Sequence, residues 1–214
     1  MNEGALDRLK DTVLAFDKEA AETAARQALE QGIEPVQCAE VISEALRIIG
    51  DRFAKGEAFI PELFIASRVA NAALTLIIAQ MKAQNKSLAS LGKVVIGTVF
   101  GDIHSIGKDI VSTLLFAEGF EVIDLGVNVK SEEFLKAVNL HQPSILALSA
   151  LLTTTAMEQR RVIEGLRNAG LRDRVKVLIG GSAINQEFAD KIGADGYAAS
   201  APMGVKVARQ LVGR

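Results

Sequence analysis

The stretch Val94-Val95-Ile96-Gly97-Thr98-Val99-Phe100-Gly101-Asp102-Ile103-His104-Ser105-Ile106-Gly107-Lys108-Asp109 decides the fold. A run of β-branched residues reads as a buried strand. It feeds a loop carrying glycines, an Asp and one of only two histidines, and a helical pattern then follows over Ile106–Glu118. The same alternation continues to the C-terminus. Short apolar runs recur at Glu121–Leu125, Ile145–Ser149, Lys176–Ile179 and Gly196–Ala199. Helical patterns fill the intervals at Ser131–Leu140, Thr155–Ala169, Asn185–Ile192 and Met203–Val212. Strand, helix, strand at this spacing predicts right-handed crossovers and a parallel sheet. Residues 93–214 are therefore expected to form an α/β, flavodoxin-like, doubly wound five-stranded sheet. Ligands of such sheets bind beyond the carboxyl ends of the strands. The loops after Val99, Leu125, Ser149, Ile179 and Ala199 are the places to look for a site.

N-terminal to this region the rhythm is helical only. Leu6–Phe16 is a short amphipathic piece, and Asp17–Gln31 is rich in helix formers behind a capping Asp. Pro35 opens a helix that sets Ile42, Leu46, Ile49 and Phe53 on one face. Pro61 opens another, running through Leu63, Ile65, Val69, Ala73, Leu76 and Ile77. These pieces predict a four-helix bundle over residues 1–87. The polar and small residues 84–92 read as a linker.

Composition narrows the classes of function. A net charge of -2 without basic clusters argues against nucleic-acid binding, which needs a concentrated positive patch. No uninterrupted apolar run reaches the length of a membrane span, so no membrane association is expected. The first residues lack a basic region followed by an apolar one, so a secretory leader is not expected. The single Cys38 permits no internal disulfide and fits a cytoplasmic protein. It reads as a small packed residue.

The loop after the first strand does not read as a phosphate loop. There is no Gly-x-Gly-x-x-Gly, and Gly107-Lys108 is followed by Asp109, which repels an anion. The Asp102-x-His104 pair points elsewhere. An imidazole that binds a metal through one nitrogen commonly gives its other N–H to a carboxylate, which fixes its orientation and raises its basicity. A zinc ion requires three or four protein ligands, and no second His, usable Cys or carboxylate cluster accompanies this pair. A macrocycle brings four ligands of its own. One His with one orienting Asp therefore suffices for a corrin or a haem and not for a bare ion. His141 precedes a strand, at the opposite edge of the sheet, and reads as a surface residue.

Asp102-x-His104-x-x-Gly107 resembles the Asp-x-His-x-x-Gly signature of the cobalamin-binding domain of methionine synthase and related proteins. Ser149-Ala150-Leu151, with Thr153 after it, resembles that family's Ser-x-Leu segment, and Gly180-Gly181-Ser182 resembles its Gly-Gly element. Phe53–Leu63 is similar to a turn in the helical cap that precedes this domain in methyl-transferring corrinoid proteins. The resemblance covers nearly the whole chain and implies a cap domain over 1–87 and a corrinoid-binding domain over 93–214.

The resemblance implies roles. His104 would be the lower axial ligand of cobalt in cobalamin or a related corrinoid, displacing the cofactor's own base, and Asp102 would hold its imidazole. Thr155 would continue the relay, where methionine synthase has Ser. Ile103, Ser105, Ile106 and Gly107 would contact the cofactor in the loop. Ser149, Leu151, Thr153, Gly180, Gly181 and Ser182 would line a slot for the nucleotide tail. Phe59–Phe64 would sit over the methyl-bearing face. The implied protein is the methyl-carrying component of a multi-component methyltransferase system rather than a complete enzyme. It would move a methyl group from a substrate-specific methyltransferase to a second one whose acceptor is a tetrahydrofolate or a thiol coenzyme. Methanol, methylamines, betaine and methoxy-aromatics are the donor classes, and a reductive activation protein is a further expected partner. The alternative is a cobalamin-dependent regulator of transcription. It shares the His motif but would carry a DNA-binding extension, which this sequence lacks.

Overall fold

The computed structural model describes residues 3–84 and 90–213. They divide into two compact units. The first contains α1 (Glu3–Leu14), α2 (Lys18–Glu30), α3 (Pro35–Ala54) and α4 (Ile60–Ala83), and the short segment Phe116–Gly119 groups with it. Asp17 caps α2, its Oδ1 accepting from the Ala20 N–H at 2.9 Å. Pro35 stands at the start of α3, where a missing N–H costs nothing. Before α4, the Glu62 carboxylate accepts from the Phe59 N–H at 2.7 Å. Leu9, Val13, Ile42, Leu46, Ile49, Leu63, Val69, Ala73 and Ile77 are buried among the helices. α2 contributes Ala21, Ala24, Ala25 and Ala28, small residues that let it lie close to α4.

One expectation for this unit changes. Ile65 is exposed and Leu76 only half-buried, because the inward stripe of α4 follows Leu63, Ala66, Val69, Ala70, Ala73, Leu74 and Ile77. A stretch of this helix, Ile60–Met81, is also long and apolar enough by length and composition to cross a membrane. Arg68 and Asn71 interrupt it, and its buried stripe packs against α2 and α3.

The second unit begins at β1 (Lys93–Thr98) and continues with α5 (Ile106–Ala117), β2 (Glu121–Asp124), α6 (Ser131–His141) and β3 (Ile145–Ser149). Then come α7 (Thr153–Asn168), β4 (Lys176–Gly180), α8 (Gln186–Ile192), β5 (Gly196–Ala198) and α9 (Ala201–Leu211). The strands pair in parallel in the order β2-β1-β3-β4-β5, the flavodoxin-like order expected from the alternation. Central strands read as continuous apolar runs because helices cover both faces: Val94, Val95, Ile96, Leu146, Leu148, Val177 and Ile179 are all buried. The edge strand β2 instead begins and ends on exposed acids, Glu121 and Asp124. Gly97 lets α6 lie on β1, since a Cβ there would stand 2.8 Å from the Phe134 ring. The order reverses between β1 and β3, so the loops leaving these strands flank the switch point.

Of the expected linker, residues 85–89 lie outside the described residues. Cys38 is fully buried, and burial pushes its thiol up to about 11, the character of a packing residue. His141 closes α6, at the end of the sheet away from the switch point.

Candidate functional site

Three segments of the second unit converge at the switch point: the loop 99–105 after β1, the loop 150–152 after β3, and the first turn of α7. Asp102 is their common partner and is only 1% exposed. Its Oδ1 accepts from the His104 backbone N–H at 3.0 Å and lies 2.7 Å from His104 Nδ1. Its Oδ2 accepts from the Leu151 N–H at 2.7 Å and from the Thr155 hydroxyl at 2.8 Å. Burial pushes the Asp102 carboxyl pKa up, but these four hydrogen bonds outweigh it and hold the group well below the usual carboxylate range. The positive end of α7 acts in the same sense, because Leu151 and Thr155 stand at its N-terminus.

The consequence falls on His104. An ionised, acceptor-only carboxylate at Nδ1 makes that nitrogen the donor, so Nε2 carries the free lone pair. The His104 side chain is 49% exposed while the Asp102 carboxylate has no exposure at all. A rigid buried anchor thus presents a basic nitrogen at the surface. The Thr98 hydroxyl donates to the His104 carbonyl at 3.1 Å and fastens the same loop to β1.

The surroundings are apolar. Phe100 and Ile103 from the first loop, Ile106 at the start of α5, and Leu151 and Leu152 from the second loop are all exposed large hydrophobics. Such residues placed around one imidazole suit a flat ligand that covers them. Among the described residues, no group of three or more His, Cys, Asp or Glu stands together to hold a metal ion. A metal at His104 must then bring its remaining ligands with it. The residues present fit a cobalt corrinoid on these counts.

The structure places the other expected site residues as follows. Ser149 ends β3 in register with Thr98 on one side and Gly180 on the other. Leu151 and Ser182 meet, the Ser182 hydroxyl donating to the Leu151 carbonyl at 3.1 Å. Gly180 and Gly181 do more than leave room. A Cβ at Gly181 would stand 1.7 Å from the Ala150 carbonyl oxygen, at φ +135°, so glycine is required for the β4 loop to pass the β3 loop. Ser105 and Gly107 lie at the start of α5, and Thr153 is the exposed first residue of α7, outside the Asp102 network.

Three contributors had no clear signal in the sequence. Gln159 is fully buried, and its Nε2 donates to the carbonyls of Leu148 at 3.0 Å and Gly180 at 3.1 Å, joining the ends of β3 and β4. The one hint was its helical spacing, four residues after Thr155. Lys108 is 3% exposed and pairs with Asp109 at 2.6 Å and with Asp124. Asn128 contacts the β1 loop from the β2 side.

Thr155 can be tested by itself. Thr155→Val removes the hydroxyl at constant shape and takes a charge-assisted hydrogen bond from Asp102, with an expected loss of about 2 kcal/mol in urea unfolding. Thr155→Ser keeps the hydroxyl and loses one methyl group, about 0.8 kcal/mol.

Comparison with known proteins agrees with this geometry. Residues 92–206 match a family model described as a B12 binding domain, and residues 5–78 match a second model of the same description. The trimethylamine corrinoid protein of Methanosarcina barkeri is 42% identical over 195 residues, covering 91% of this chain and 90% of the relative. Dimethylamine corrinoid protein 2 of Methanosarcina mazei is 38% identical over 208 residues, covering 97% and 96%. Among solved structures, the methanol:cobalamin methyltransferase complex of Methanosarcina barkeri includes a chain that matches with a TM-score of 0.83 at 25% identity, covering 98% of this chain and 80% of that one. A half-exposed imidazole backed by a buried carboxylate, on a sheet of this order and in a sequence of this likeness, leads to one assignment: the chain belongs to the B12-binding family of corrinoid proteins, and its cofactor is cobalamin or a related corrinoid.

Proposed function

We propose that this protein carries a methyl group between two methyltransferases, with His104 Nε2 as the lower axial ligand of its cobalt. The observation that carries the reading is the Asp102–His104 contact at 2.7 Å, buried at one end and half-exposed among apolar side chains at the other. When bound, the corrinoid supplies a cobalt centre that accepts a methyl group and gives it up again.

The chain's own residues do the rest. His104 would hold the cobalt through Nε2, the ring nitrogen that Asp102 leaves free. Asp102 accepts the hydrogen bond from Nδ1–H throughout, because its own hydrogen bonds keep it ionised. Thr155 and the Leu151 N–H hold Asp102 in place, so the imidazole keeps one orientation. Ile103, Ser105, Ile106 and Gly107 would contact the ring, and Ser149, Leu151, Thr153, Gly180, Gly181 and Ser182 would receive the nucleotide tail. In this reading residues 1–87 are the helical domain, 93–214 the corrinoid domain and 84–92 the linker between them, in a cytoplasmic protein.

Methylated amines are the donor class we infer, from the names and 38–42% identities of the relatives. A substrate-specific methyltransferase, a second one with its own acceptor and a reductive activation protein are the inferred partners. The test uses the protein loaded with cobalamin, reduced, and mixed with a trimethylamine-, dimethylamine- or methanol-specific methyltransferase and its substrate. Growth of the methyl–cobalt absorption band is expected with an amine system. Failure with all three, together with a light-dependent change of state on adenosylcobalamin, would replace the shuttle by a sensor.

A further inference from the structure

The loop that carries His104 is held from below by a residue outside the family motif. The Asn128 side-chain oxygen accepts from the Gly101 N–H at 2.8 Å, and the Asn128 backbone N–H donates to the Asp102 carbonyl at 2.9 Å. These two bonds bracket the Gly101-Asp102 backbone, immediately before the carboxylate that orients the imidazole. We propose that Asn128 is a positioning residue for His104, a clamp through which the β2–α6 loop sets the β1–α5 loop; this rests on His104 being the axial ligand.

The clamp has a firm base. The Thr98 N–H donates to the Gly126 carbonyl at 2.9 Å, and the Val129 N–H returns to the Thr98 carbonyl at 3.0 Å. Asn128 is therefore flanked by residues sewn to β1 itself. The start of the same loop is pinned by Asp124, whose Oδ1 accepts from the Gly126 N–H at 2.8 Å and whose Oδ2 pairs with buried Lys108 of α5. The loop is thus fixed to the strand before the His loop and to the helix after it.

The identity of the residue follows from two demands at one position. Its backbone is left-handed, at φ +56°, a conformation that Asn tolerates far better than most side chains. Its side chain must also present an acceptor to Gly101. Asn128 is exposed and adds nothing to the core, which is supplied here by Val129 and Phe134. Its contribution is to geometry. A carboxylate bond of 2.7 Å to an imidazole tolerates little displacement of the backbone that carries it.

The test is a spectroscopic titration with hydroxocobalamin, following the equilibrium between His-coordinated and uncoordinated cobalt against pH. Asn128→Ala and Asn128→Gly are each expected to shift that equilibrium about fivefold away from coordination, the loss of one net hydrogen bond. Asn128→Gly accepts the left-handed backbone without strain, so its loss reports the missing acceptor rather than misfolding. Asn128→Asp keeps an acceptor and the left-handed tolerance, and is expected to return to within about twofold of the wild type. A wild-type equilibrium in Asn128→Gly, or no recovery in Asn128→Asp, overturns the clamp. His104→Ala in the same series separates the two readings. If it abolishes coordination while Asn128→Gly behaves as wild type, the clamp alone is wrong; if it changes nothing, the ligand assignment is wrong.

Discussion

His104→Ala is expected to bind hydroxocobalamin without axial nitrogen coordination from the protein, and its absorption spectrum should lose the His-coordinated form entirely. Removing an outer partner of a metal ligand typically costs 10–100-fold in affinity, and removing the ligand itself should exceed that. The fold should hardly notice. The imidazole is half-exposed and makes one side-chain hydrogen bond, to Asp102 Oδ1. After its removal Asp102 keeps three donors: the backbone N–H groups of His104 and Leu151 and the Thr155 hydroxyl. The melting temperature should therefore stay close to that of the wild type while the spectrum changes. Added imidazole should enter the vacated space and restore part of the coordinated form. A spectrum identical to the wild type would remove His104 from the cobalt.

Asp102→Ala should reverse that division, with a large loss of stability as well as of coordination. Four donors lose their acceptor at once, three of them besides the half-exposed imidazole, at roughly 1–3 kcal/mol for each buried group left unsatisfied. A loss of at least about 3 kcal/mol in urea unfolding is expected. Asp102→Asn keeps the shape but turns an NH2 toward one set of donors, so it should recover only part of that loss.

The acid limb of stability carries the same information. An unfolded Asp titrates near 3.9; burial pushes folded Asp102 up, but its hydrogen bonds outweigh that and hold it below the unfolded value. In the acid range the unfolded chain then binds a proton that the folded chain refuses. The stability from Asp102 is fully present above about pH 5 and is lost as pH falls through 4 and below. Unfolding midpoints measured from pH 7 to pH 3 should fall less steeply in Asp102→Asn than in the wild type. Equal slopes would show that the carboxylate is not held ionised by the fold.

The segments that built this site differ in how visible they were. All five strands fall within a residue or so of the apolar runs, and Ile106 opens α5 where the pattern predicted. α7 starts two residues early, at Thr153, because the loop after β3 turns straight into the helix. Thr155 therefore stands at the third helical position and not the first, and from there its hydroxyl reaches Asp102. α9 likewise begins at Ala201, since Pro202 is tolerated in a first turn where its missing N–H has no partner to lose. The glycine pair after β4 was legible as a loop, but its reason was not. Only the 1.7 Å approach to Ala150 shows that Gly181 is demanded by the neighbouring backbone.

By itself the sequence determined the alternation of strands and helices, the parallel sheet and the Asp102-x-His104 pair, because all of these are written in spacings of a few residues. The tertiary structure decided what that pair can do. Strand order brings the Leu151 N–H and the Thr155 hydroxyl to Asp102 from 49 and 53 residues away, and Asn128 to Gly101 from 27. Lys108, already paired with its neighbour Asp109, finds a second carboxylate in Asp124 across 16 residues and is buried between them. A carboxylate becomes a rigid, ionised anchor only when enough donors from separate loops meet on it in the absence of water. No local pattern encodes that meeting, because it depends on which strand lies beside which.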